Sequence, residues 1–577
     1  MPRTDAYKTI GFVDGESTQN NCISYLEKHR EMFSKKTALR WTDKPTLASW
    51  TGNLSDPVPH HSINFEDFYS KVNRLAFGLK NLGIKKGNCV IIFLPMSVEL
   101  YQAMFAVMQI GAISVFLDSW ARRTHLGASA DTVSPKAMIS FEGAFQFCKE
   151  VPEIDQIPIK IVAFAEKNNF TASIAELESG ERLVELTPVT GDHPALITFT
   201  TGSSGRPKGA NRTHQFLSAQ HHALDATIPY TDEDADLPAF PIFSLNNLAA
   251  GVTTIIPAVD IGSPTPRDPL ILISQLKSCQ ANCCTLSPSM LVEIAKYCQS
   301  SGIKLEFLRR VVTGGAPISN DDLRLFKSIA PKTEIWVLYG STEVEPIAHL
   351  EANEILAQGE GSGVNVGHFA DGLDYKFLKI NRSNIEFGSS TKWSDLEVGA
   401  GEVGEIAVSG LHVCKSYYNY PEATKQTKVI DDEGRVWHRT GDLGYLDPDS
   451  QLWLVGRIHN AIQRKGQWLF PVGAEIVLKR LGFAGRVAFL GIADPELTER
   501  TYAVVAVNDP EIFKNPNPYL HQIKEVLRIA GIPADEAILM KDIPMDSRHH
   551  SKVEYAVLRE QILQAKDKGG VFIAATQ

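Results

Sequence analysis

Two unbroken apolar runs, CVIIFLP (89–95) and ISVFLD (113–118), constrain the fold most strongly. The segment between them, VELYQAMFAVMQIGA (98–112), has the length and composition of a helix. Strands buried on both faces read as continuous apolar runs, and a helical crossover joins parallel strands. Upstream, NFEDFYSKVNRLAFGLKNLG (64–83) has apolar residues at helical spacing, with Asn64 as its N-cap and a closing Gly83. The sequence therefore predicts a parallel α/β sheet.

The alternation continues along the chain. PALITFT (194–200) predicts a strand and HQFLSAQHHALDA (214–226) a helix, and three further strands follow, in CCTLSP, LRRVVTGGAP and EIWVLYG. From about residue 365, short strand-like pieces are separated by Gly, Asp and Asn, which predicts an antiparallel β-rich region. Residues 1–60 read as irregular and polar.

A domain boundary is predicted at VGRIHNA (455–461), before about 120 residues of mixed helix and strand. We expect a large N-terminal domain, residues 1–456, built from layered α/β subdomains and a β-rich subdomain. A hinge would join it to a small α+β C-terminal domain, residues 457–577.

Composition limits the function classes. The 577 residues carry 57 Lys and Arg against 67 Asp and Glu, and this net charge of −10 argues against nucleic acid as a partner. The eight cysteines form no CxxC pair, so buried reduced thiols are expected. The sequence contains no apolar run of about 18 residues and no signal-peptide pattern. We expect a cytoplasmic protein without a membrane span.

The stretch TFTTGSSGRPKG (198–209) follows a predicted strand directly. Backbone N–H groups of such a glycine-rich turn can converge on an anion, although the ending differs from that of a Walker loop. A surface loop of small residues is the alternative. The candidate phosphate ligands are Thr200, Thr201, Gly202, Ser203, Ser204, Gly205 and Lys208.

Further motifs also carry polar groups after strands. In YGSTE (339–343), Glu343 could bind Mg²⁺, Thr342 could meet a phosphate oxygen and Tyr339 could stack on a base. Asp442, in a predicted tight Gly-Asp turn, could accept both hydroxyls of a ribose. Each feature alone also fits an ordinary turn. The remaining motifs are TGGAP (313–317), GRIHNAIQRKG (456–466) and PMDSRHHSKVEY (544–555).

Taken in order, these motifs resemble the adenylate-forming superfamily of acyl-CoA synthetases, luciferases and adenylation domains, from about residue 60 to 565. Within it the chain is most similar to the β-lactone synthetases of bacterial olefin biosynthesis. The stretches that carry this similarity are LPAFPIFSLNNLAAG, TIIPAVDIGSPTPRDP, YGSTEVEPIAHLE and DSRHHSK. Pro241 stands where relatives usually have an aromatic residue or His, and Ser551 where Gly usually precedes the lysine.

The resemblance implies that ATP and a carboxylic acid, with Mg²⁺, form an acyl-AMP and pyrophosphate. Lys552 would bridge the carboxylate and the α-phosphate, Glu343 would hold Mg²⁺, and Thr342 an α-phosphate oxygen. Besides the phosphate loop, the implied ATP site comprises Gly315, Ala316, Pro317, Tyr339, Gly340, Ser341, Asp442 and Arg457. The implied acyl pocket comprises Pro241, Phe243, Asn246 and Asn247.

The second step is left open. His459 replaces the hinge Asp usual in the superfamily, and Gln463 replaces a common Lys, which puts use of CoA in doubt. Closure of a β-lactone by the substrate's own hydroxyl is one outcome. A fatty acyl-CoA ligase or a carrier-protein-loading ligase, with a carrier protein or pathway enzyme as partner, is another, and a nucleotide sensor without turnover is a third. Candidate bases for the hydroxyl, which could equally be ordinary surface or helix-face residues, are His214, His221, His222, His549 and His550.

Overall fold

A computed structural model describes residues 12–117, 123–183, 185–201, 206–358, 363–388, 391–545, 553–567 and 573–574. The chain forms two compact units. The first unit comprises Met1–Leu356, Phe369–Asp374 and Ser409–Lys428, and the second comprises Ala357–His368, Tyr375–Val408 and Val429–Gln577. Most of the β-rich region therefore groups with the C-terminal residues, and the domain boundary at residue 456 remains a prediction.

Helices and strands alternate through most of the chain. The helices are α1 (Ser24–Met32), α2 (Lys44–Ser49), α3 (Phe65–Asn81), α4 (Val98–Gln109), α5 (Arg123–Val133), α6 (Glu142–Cys148), α7 (Pro152–Asp155), α8 (Ile174–Glu178), α9 (His214–Thr227), α10 (Pro241–Ala249), α11 (Asp268–Ser278), α12 (Pro288–Ser301), α13 (Asn320–Ile329), α14 (Ala352–Gln358), α15 (Trp393–Leu396), α16 (Pro421–Thr427), α17 (Pro471–Lys479), α18 (Asn517–Ile529) and α19 (Tyr555–Asp567).

The strands are β1 (Thr37–Trp41), β2 (His61–Asn64), β3 (Cys89–Phe93), β4 (Ile113–Phe116), β5 (Ala137–Phe141), β6 (Ile159–Ala163), β7 (Ala172–Ser173), β8 (Pro194–Thr201), β9 (Pro207–Thr213), β10 (Ala235–Pro238), β11 (Thr253–Ile255), β12 (Cys283–Leu286), β13 (Arg310–Gly314), β14 (Glu334–Ser341), β15 (Val344–Glu351), β16 (Val364–Phe369), β17 (Asp374–Leu378), β18 (Gly404–Ser409), β19 (Lys428–Ile430), β20 (Val436–Leu446), β21 (Leu452–Arg457), β22 (Ile462–Arg464), β23 (Gln467–Leu469), β24 (Val487–Asp494), β25 (Thr498–Ala506), β26 (Glu536–Met540) and β27 (Ile573–Ala574).

The first unit contains two largely parallel arrays of strands. One has the order β7-β6-β5-β3-β4-β8-β9, and β9 alone in that array runs antiparallel to its neighbour. The other runs β15-β14-β13-β12-β10-β11-β1-β2, with antiparallel pairs at its two ends. The prediction of a parallel α/β architecture is confirmed.

Helix α3 shows how the sequence builds the core of the first unit. Asn64 caps it, since its side chain accepts a hydrogen bond from the backbone N–H of Asp67 at 2.8 Å. The apolar face of α3 is buried and packs against α4, α8 and α1, and it carries Phe65, Phe68, Val72, Leu75 and Leu79. Each such side chain contributes roughly 1.5–3 kcal/mol by leaving water. Gly83, at φ +83°, ends the segment as predicted.

The second unit is rich in antiparallel pairs. Strands β17-β18-β20-β21-β16 follow one another in one array, and β23-β22-β25-β26-β27, with β24 beside β25, form another. Helices α17 and α18 pack on this second array around Leu478, Phe489 and Leu520. The predicted change of texture after residue 365 is confirmed.

Two expectations about local structure are wrong. The region before residue 60 contains α1, β1 and α2, which are too short to give a clear periodic pattern. Asp442 lies within β20 rather than in a turn. On β18, residues 405 and 407 pair with residues 443 and 439 of β20, so β20 bulges there, and Gly441 supplies the positive φ of +73°.

Candidate active site

The predicted phosphate loop joins the antiparallel strands β8 and β9. Thr200 pairs with Lys208 and Thr201 with Pro207 across this hairpin. Gly202 to Gly205, and the side chain of Thr201, lie outside the described residues. The hairpin therefore places Thr200 and Lys208 directly beside the turn that would hold the phosphates.

A segment that the motifs did not include, residues 413–418, joins this hairpin to the hairpin that carries Glu343. On one side, Tyr418 N–H donates to Gly209 O at 2.8 Å. On the other side, Val413 bridges to Val344, and Cys414 N–H donates to Glu343 O at 2.7 Å. The loop hairpin and the YGSTE turn are thus held together by backbone hydrogen bonds.

Glu343 lies among cationic side chains in the first unit. Its Oε1 accepts a hydrogen bond from Tyr417 Oη at 2.6 Å. Lys208 Nζ and Lys428 Nζ lie 5.7 and 5.5 Å from the centre of the Tyr417 ring. Beside it, Arg212 donates from Nε and Nη2 to Thr342 O at 3.2 and 2.8 Å. This arrangement concentrates positive charge around one carboxylate, as a site for polyphosphate requires.

Burial sets the electrostatics of this cluster. It lowers the pKa of Lys208, and the charge of Glu343 acts against that shift. Burial also lowers the pKa of Lys428, whose Nζ donates to Cys414 O at 2.5 Å. Glu345, two residues beyond Glu343, has its pKa raised to about 7 by burial, with Arg212 opposing the shift. An anion that enters this cluster would stabilise the charged forms of Lys208 and Lys428, which burial disfavours.

The donor set suits a magnesium ion brought in by a phosphate ligand. Among the described residues, no group of three or more His, Cys, Asp or Glu side chains could hold a metal by itself. Magnesium is usually bound by one or two carboxylates together with substrate phosphates and water. The single carboxylate of Glu343 beside the loop hairpin fits that pattern.

The predicted adenine slot lies where β13 and β14 end side by side. Gly314 pairs with Leu338, and a Cβ at Gly314 would come 2.5 Å from Leu338 O. Gly315 follows with φ +81°, and Tyr339 and Gly340 continue β14 into the Ser341 turn. The close approach of the two strands explains the glycine at 314 and puts Gly315, Ala316 and Pro317 on one edge of the sheet.

The predicted acyl helix begins close to that edge. A Cβ at Gly315 would lie 3.9 Å from Phe240, which immediately precedes α10 and its first residue, Pro241. Phe243 is buried beside Phe240. Asn247 Nδ2 donates to Asp236 Oδ2 at 2.8 Å, so the amide nitrogen of Asn247 already has a hydrogen-bond partner within the protein. The described part of the first unit thus brings the two predicted subsites together.

The candidate base histidines have different surroundings. His221 Nδ1 lies 2.9 Å from Asn246 Oδ1, and His222 Nε2 lies 3.1 Å from Tyr25 Oη. His214 is enclosed, and its Nδ1 accepts the backbone N–H of Cys22 at 3.1 Å, so its role is structural. His549 and His550 lie outside the described residues, as does Lys552.

The predicted ribose ligands lie in the second unit. Asp442 on β20 pairs with Arg457 on β21, and Arg457 Nε lies 2.9 Å from Asp442 Oδ1. Three residues before Asp442, Arg439 forms a buried ion pair with Glu405. Arg439 also donates to the carbonyls of Asn381 and Ser383, at 2.5 and 2.8 Å. Asp442 therefore lies on a strand whose position is fixed by buried charge pairing.

Sequence reasoning missed Arg212, Glu345, Tyr417 and Lys428. The stretch KSYYNYPEAT around Tyr417 carries three tyrosines, and that aromatic cluster was the available signal. Every cysteine is free, and all except the half-buried Cys22 are buried, which confirms the expected thiols. In the described part of the chain, the helices fall short of the length and apolarity that a bilayer span requires.

Comparison with known proteins agrees with these features. The sequence is 27% identical to the olefin beta-lactone synthetase of Stenotrophomonas maltophilia, over 85% of this chain and 90% of that protein. It is 26% identical to 4-coumarate–CoA ligase 3 of Arabidopsis thaliana, over 79% and 78% of the two chains.

Solved structures show the same fold. The o-succinylbenzoate CoA synthetase of Bacillus subtilis, in complex with its acyl-adenylate intermediate, is similar with a TM-score of 0.72 at 19% identity, over 93% of this chain and 97% of that one. The amide bond synthetase of Marinactinospora thermotolerans gives a TM-score of 0.74 at 20% identity, over 94% and 99%. The profile of the family described as AMP-binding enzyme matches residues 28–418. The chain therefore belongs to the AMP-binding enzyme family and is an AMP-forming acid ligase.

Proposed function

We propose that this ligase activates a fatty or 3-hydroxy fatty acid to an acyl-AMP and then closes the 3-hydroxyacyl-AMP to a β-lactone. The observation that carries the proposal is the similarity to the olefin beta-lactone synthetase, which extends over 85% of this chain and 90% of that protein. Similarity to the 4-coumarate–CoA ligase covers less of both chains, at 79% and 78%. A CoA ligase is the second candidate, and those relatives support it.

In the first step, an oxygen of the substrate carboxylate bonds to the α-phosphorus of ATP, and the bond to the departing pyrophosphate breaks. Catalysis of such a step consists mainly of positioning and charge stabilisation. Thr200, Thr201, Lys208 and the loop 202–205 would hold the β- and γ-phosphates. The cations around Glu343 support this assignment, because buried lysines gain from a nearby anion.

The other proposed roles follow from the motifs. Glu343 would hold Mg²⁺, which neutralises phosphate oxygens when bound. Thr342 would meet an α-phosphate oxygen, and Lys552 would bridge the α-phosphate and the carboxylate. The adenine slot would comprise Gly315, Ala316, Pro317, Tyr339, Gly340 and Ser341. Asp442 and Arg457 would bind the ribose hydroxyls.

The surroundings of α10 support an apolar acyl group. This helix carries Phe243, and its neighbours Phe240, Ile242 and Leu338 are hydrophobic. Asp236, whose Oδ2 accepts hydrogen bonds from Asn247 of this helix and from Tyr230, is buried. The carboxylate that α10 contacts is thus enclosed by the fold, which favours a fatty acid over an amino acid.

In the second step, the hydroxyl oxygen of the substrate bonds to its own acyl carbon and the bond from that carbon to AMP breaks. The hydroxyl proton leaves to a base, and AMP is released. No external thiol takes part. His459 and Gln463, in place of the usual hinge Asp and Lys, support a reaction that does not need a thiol acceptor.

The test omits CoA. Purified protein, ATP, Mg²⁺ and a 3-hydroxy fatty acid should give one lactone and one AMP for each acid consumed. A strict requirement for CoA would reject ring closure, and absence of AMP with every acid would reject the ligase activity.

Lys552→Ala should abolish pyrophosphate release and leave ATP binding measurable, because the lysine acts on the reacting groups. Lys541→Ala, at an exposed position of the same unit, is the matched control and should behave as wild type. Full turnover by Lys552→Ala would contradict the assignment.

A further inference from the structure

Tyr417 contacts the carboxylate proposed to bind magnesium. Its ring is 5% exposed, and its Oη donates a hydrogen bond to Glu343 Oε1 at 2.6 Å. The two residues are 74 positions apart, and the family motifs that first indicated the function do not contain Tyr417. This contact links the segment 413–418 to the reacting part of the site.

The chemistry of the contact permits one direction of donation. The phenol Oη of Tyr417 carries a proton and lies 2.6 Å from Glu343 Oε1. An ionised carboxylate can only accept hydrogen bonds. Tyr417 therefore donates to one oxygen of Glu343 and restrains the rotation of the carboxylate group.

The same segment also restrains the backbone of Glu343. Cys414 N–H donates to Glu343 O at 2.7 Å, so both ends of the glutamate are attached to residues 413–418. Tyr417 itself is fixed, because its N–H donates to Thr424 Oγ1 at 2.9 Å and the ammonium groups of Lys208 and Lys428 lie 5.7 and 5.5 Å from the centre of its ring. A side chain held in this way can hold another in one rotamer.

We propose that Tyr417 is a positioning residue for adenylation, which fixes the orientation of the Glu343 carboxylate toward Mg²⁺ carried by ATP. This inference rests on the proposed role of Glu343. An ordinary packing role for Tyr417 is the competing explanation. The two explanations differ in what removal of the hydroxyl should change. A packing role predicts a loss of folding stability, whereas a positioning role predicts a loss of ATP affinity that depends on magnesium and on Glu343.

The test uses Tyr417→Phe, which removes only the hydroxyl and keeps the ring beside the two lysines. ATP affinity is measured by calorimetry with Mg²⁺ and with EDTA, so the readout does not need turnover. Wild type should bind ATP more tightly with Mg²⁺ than with EDTA. In Tyr417→Phe the ratio of these two affinities should be about tenfold smaller, which is the effect of one hydrogen bond to a charged group. Pyrophosphate exchange should fall by a similar factor.

Tyr418→Phe is the matched control. The hydroxyl of Tyr418 accepts a hydrogen bond from Cys89 Sγ at 3.6 Å, away from Glu343, so this variant should keep the full magnesium effect. In a Glu343→Gln background, Tyr417→Phe should cause no further loss of the magnesium effect, because the carboxylate that Tyr417 would position for Mg²⁺ is already absent.

Three results would overturn the inference. They are an undiminished magnesium effect in Tyr417→Phe, an equal loss in the Glu343→Gln background, and a wild-type ATP affinity that Mg²⁺ does not change. A wild type that binds MgATP but activates no acid would reject the proposed function and leave the test of Tyr417 valid.

Discussion

His214, the first residue of α9, makes the stability of the first unit depend on pH. The residue is fully buried, and its Nδ1 accepts the backbone N–H of Cys22 at 3.1 Å. Its ring stacks on His193 at 6.0 Å, and its Nε2 has no hydrogen-bond partner among the described residues. Protonation of Nδ1 would place two N–H groups against each other inside the core. The folded state therefore requires the neutral imidazole.

The magnitude follows from the change in pKa on folding. Burial, with smaller contributions from the charges of His193 and Lys86, lowers the pKa of His214 from 6.5 to about 3. Between these two values the unfolded chain binds a proton that the folded chain does not. Stability is therefore complete above pH 6.5 and is lost as the pH falls below it. At pH 5 the loss is about 2 kcal/mol, from 1.36 kcal/mol for each pH unit between the two states.

The assay compares urea unfolding at pH 7.5 and pH 5 for wild type and His214→Asn. Asparagine retains an acceptor near the position of Nδ1 and does not titrate, so the variant should lose about 2 kcal/mol less than wild type between the two pH values. Other titrating groups cancel in this difference. His521→Asn, at an exposed position of α18, should leave the wild-type loss unchanged. Equal pH dependence in wild type and His214→Asn would refute the reasoning.

Two further changes test the contacts that hold the site in place. Glu405→Leu leaves Arg439 buried without its ion-pair partner and should destabilise the protein by about 3–5 kcal/mol in urea unfolding. Glu511→Gln, which breaks an exposed pair with Lys514, is the control and should have little effect; equal effects of the two variants would contradict the argument. Gly314→Ala places a Cβ 2.5 Å from Leu338 O, so it should lower the free energy of unfolding by about 1–3 kcal/mol and weaken ATP binding. Gly482→Ala, whose added Cβ would have nothing within 4 Å, is the control and should be neutral in both assays. A neutral Gly314→Ala would contradict the close approach of the two strands.

The sequence predicted the architecture well where the pattern was long and regular. Helix α3 and strands β3 and β4 formed at the predicted positions, because unbroken apolar runs and a capped amphipathic helix leave few alternatives. The elements α1 and β1 were missed, because nine and five residues give too little periodicity to distinguish them from loops. Asp442 was placed in a turn because Gly-Asp is a common turn pair, whereas the glycine serves a bulge within β20.

The site was predictable only in part, for a different reason. Its motifs follow individual strands, so each could be read locally. The contacts between motifs depend on pairing between distant segments, such as Tyr417 with Glu343 and Arg212 with Thr342. A single sequence contains no local signal for such pairs. This is why the cationic cluster around Glu343 emerged only from the structure.

Residue 459, at the predicted hinge, bears on the proposed second step. An aspartate at position 459 would add a carboxylate close to Arg457, whereas removal from water and the charge of Arg457 lower the pKa of His459 and favour its neutral form. Arg457 instead pairs with Asp442 at 2.9 Å. Asp442, which is proposed to bind ribose, thus pairs with Arg457 without competition from a carboxylate at residue 459. This is consistent with the proposed ring closure, in which the substrate's own hydroxyl attacks the acyl-AMP. In the superfamily that the sequence resembles, the aspartate usual at this position serves the step with a thiol acceptor, and His459 stands there in this chain.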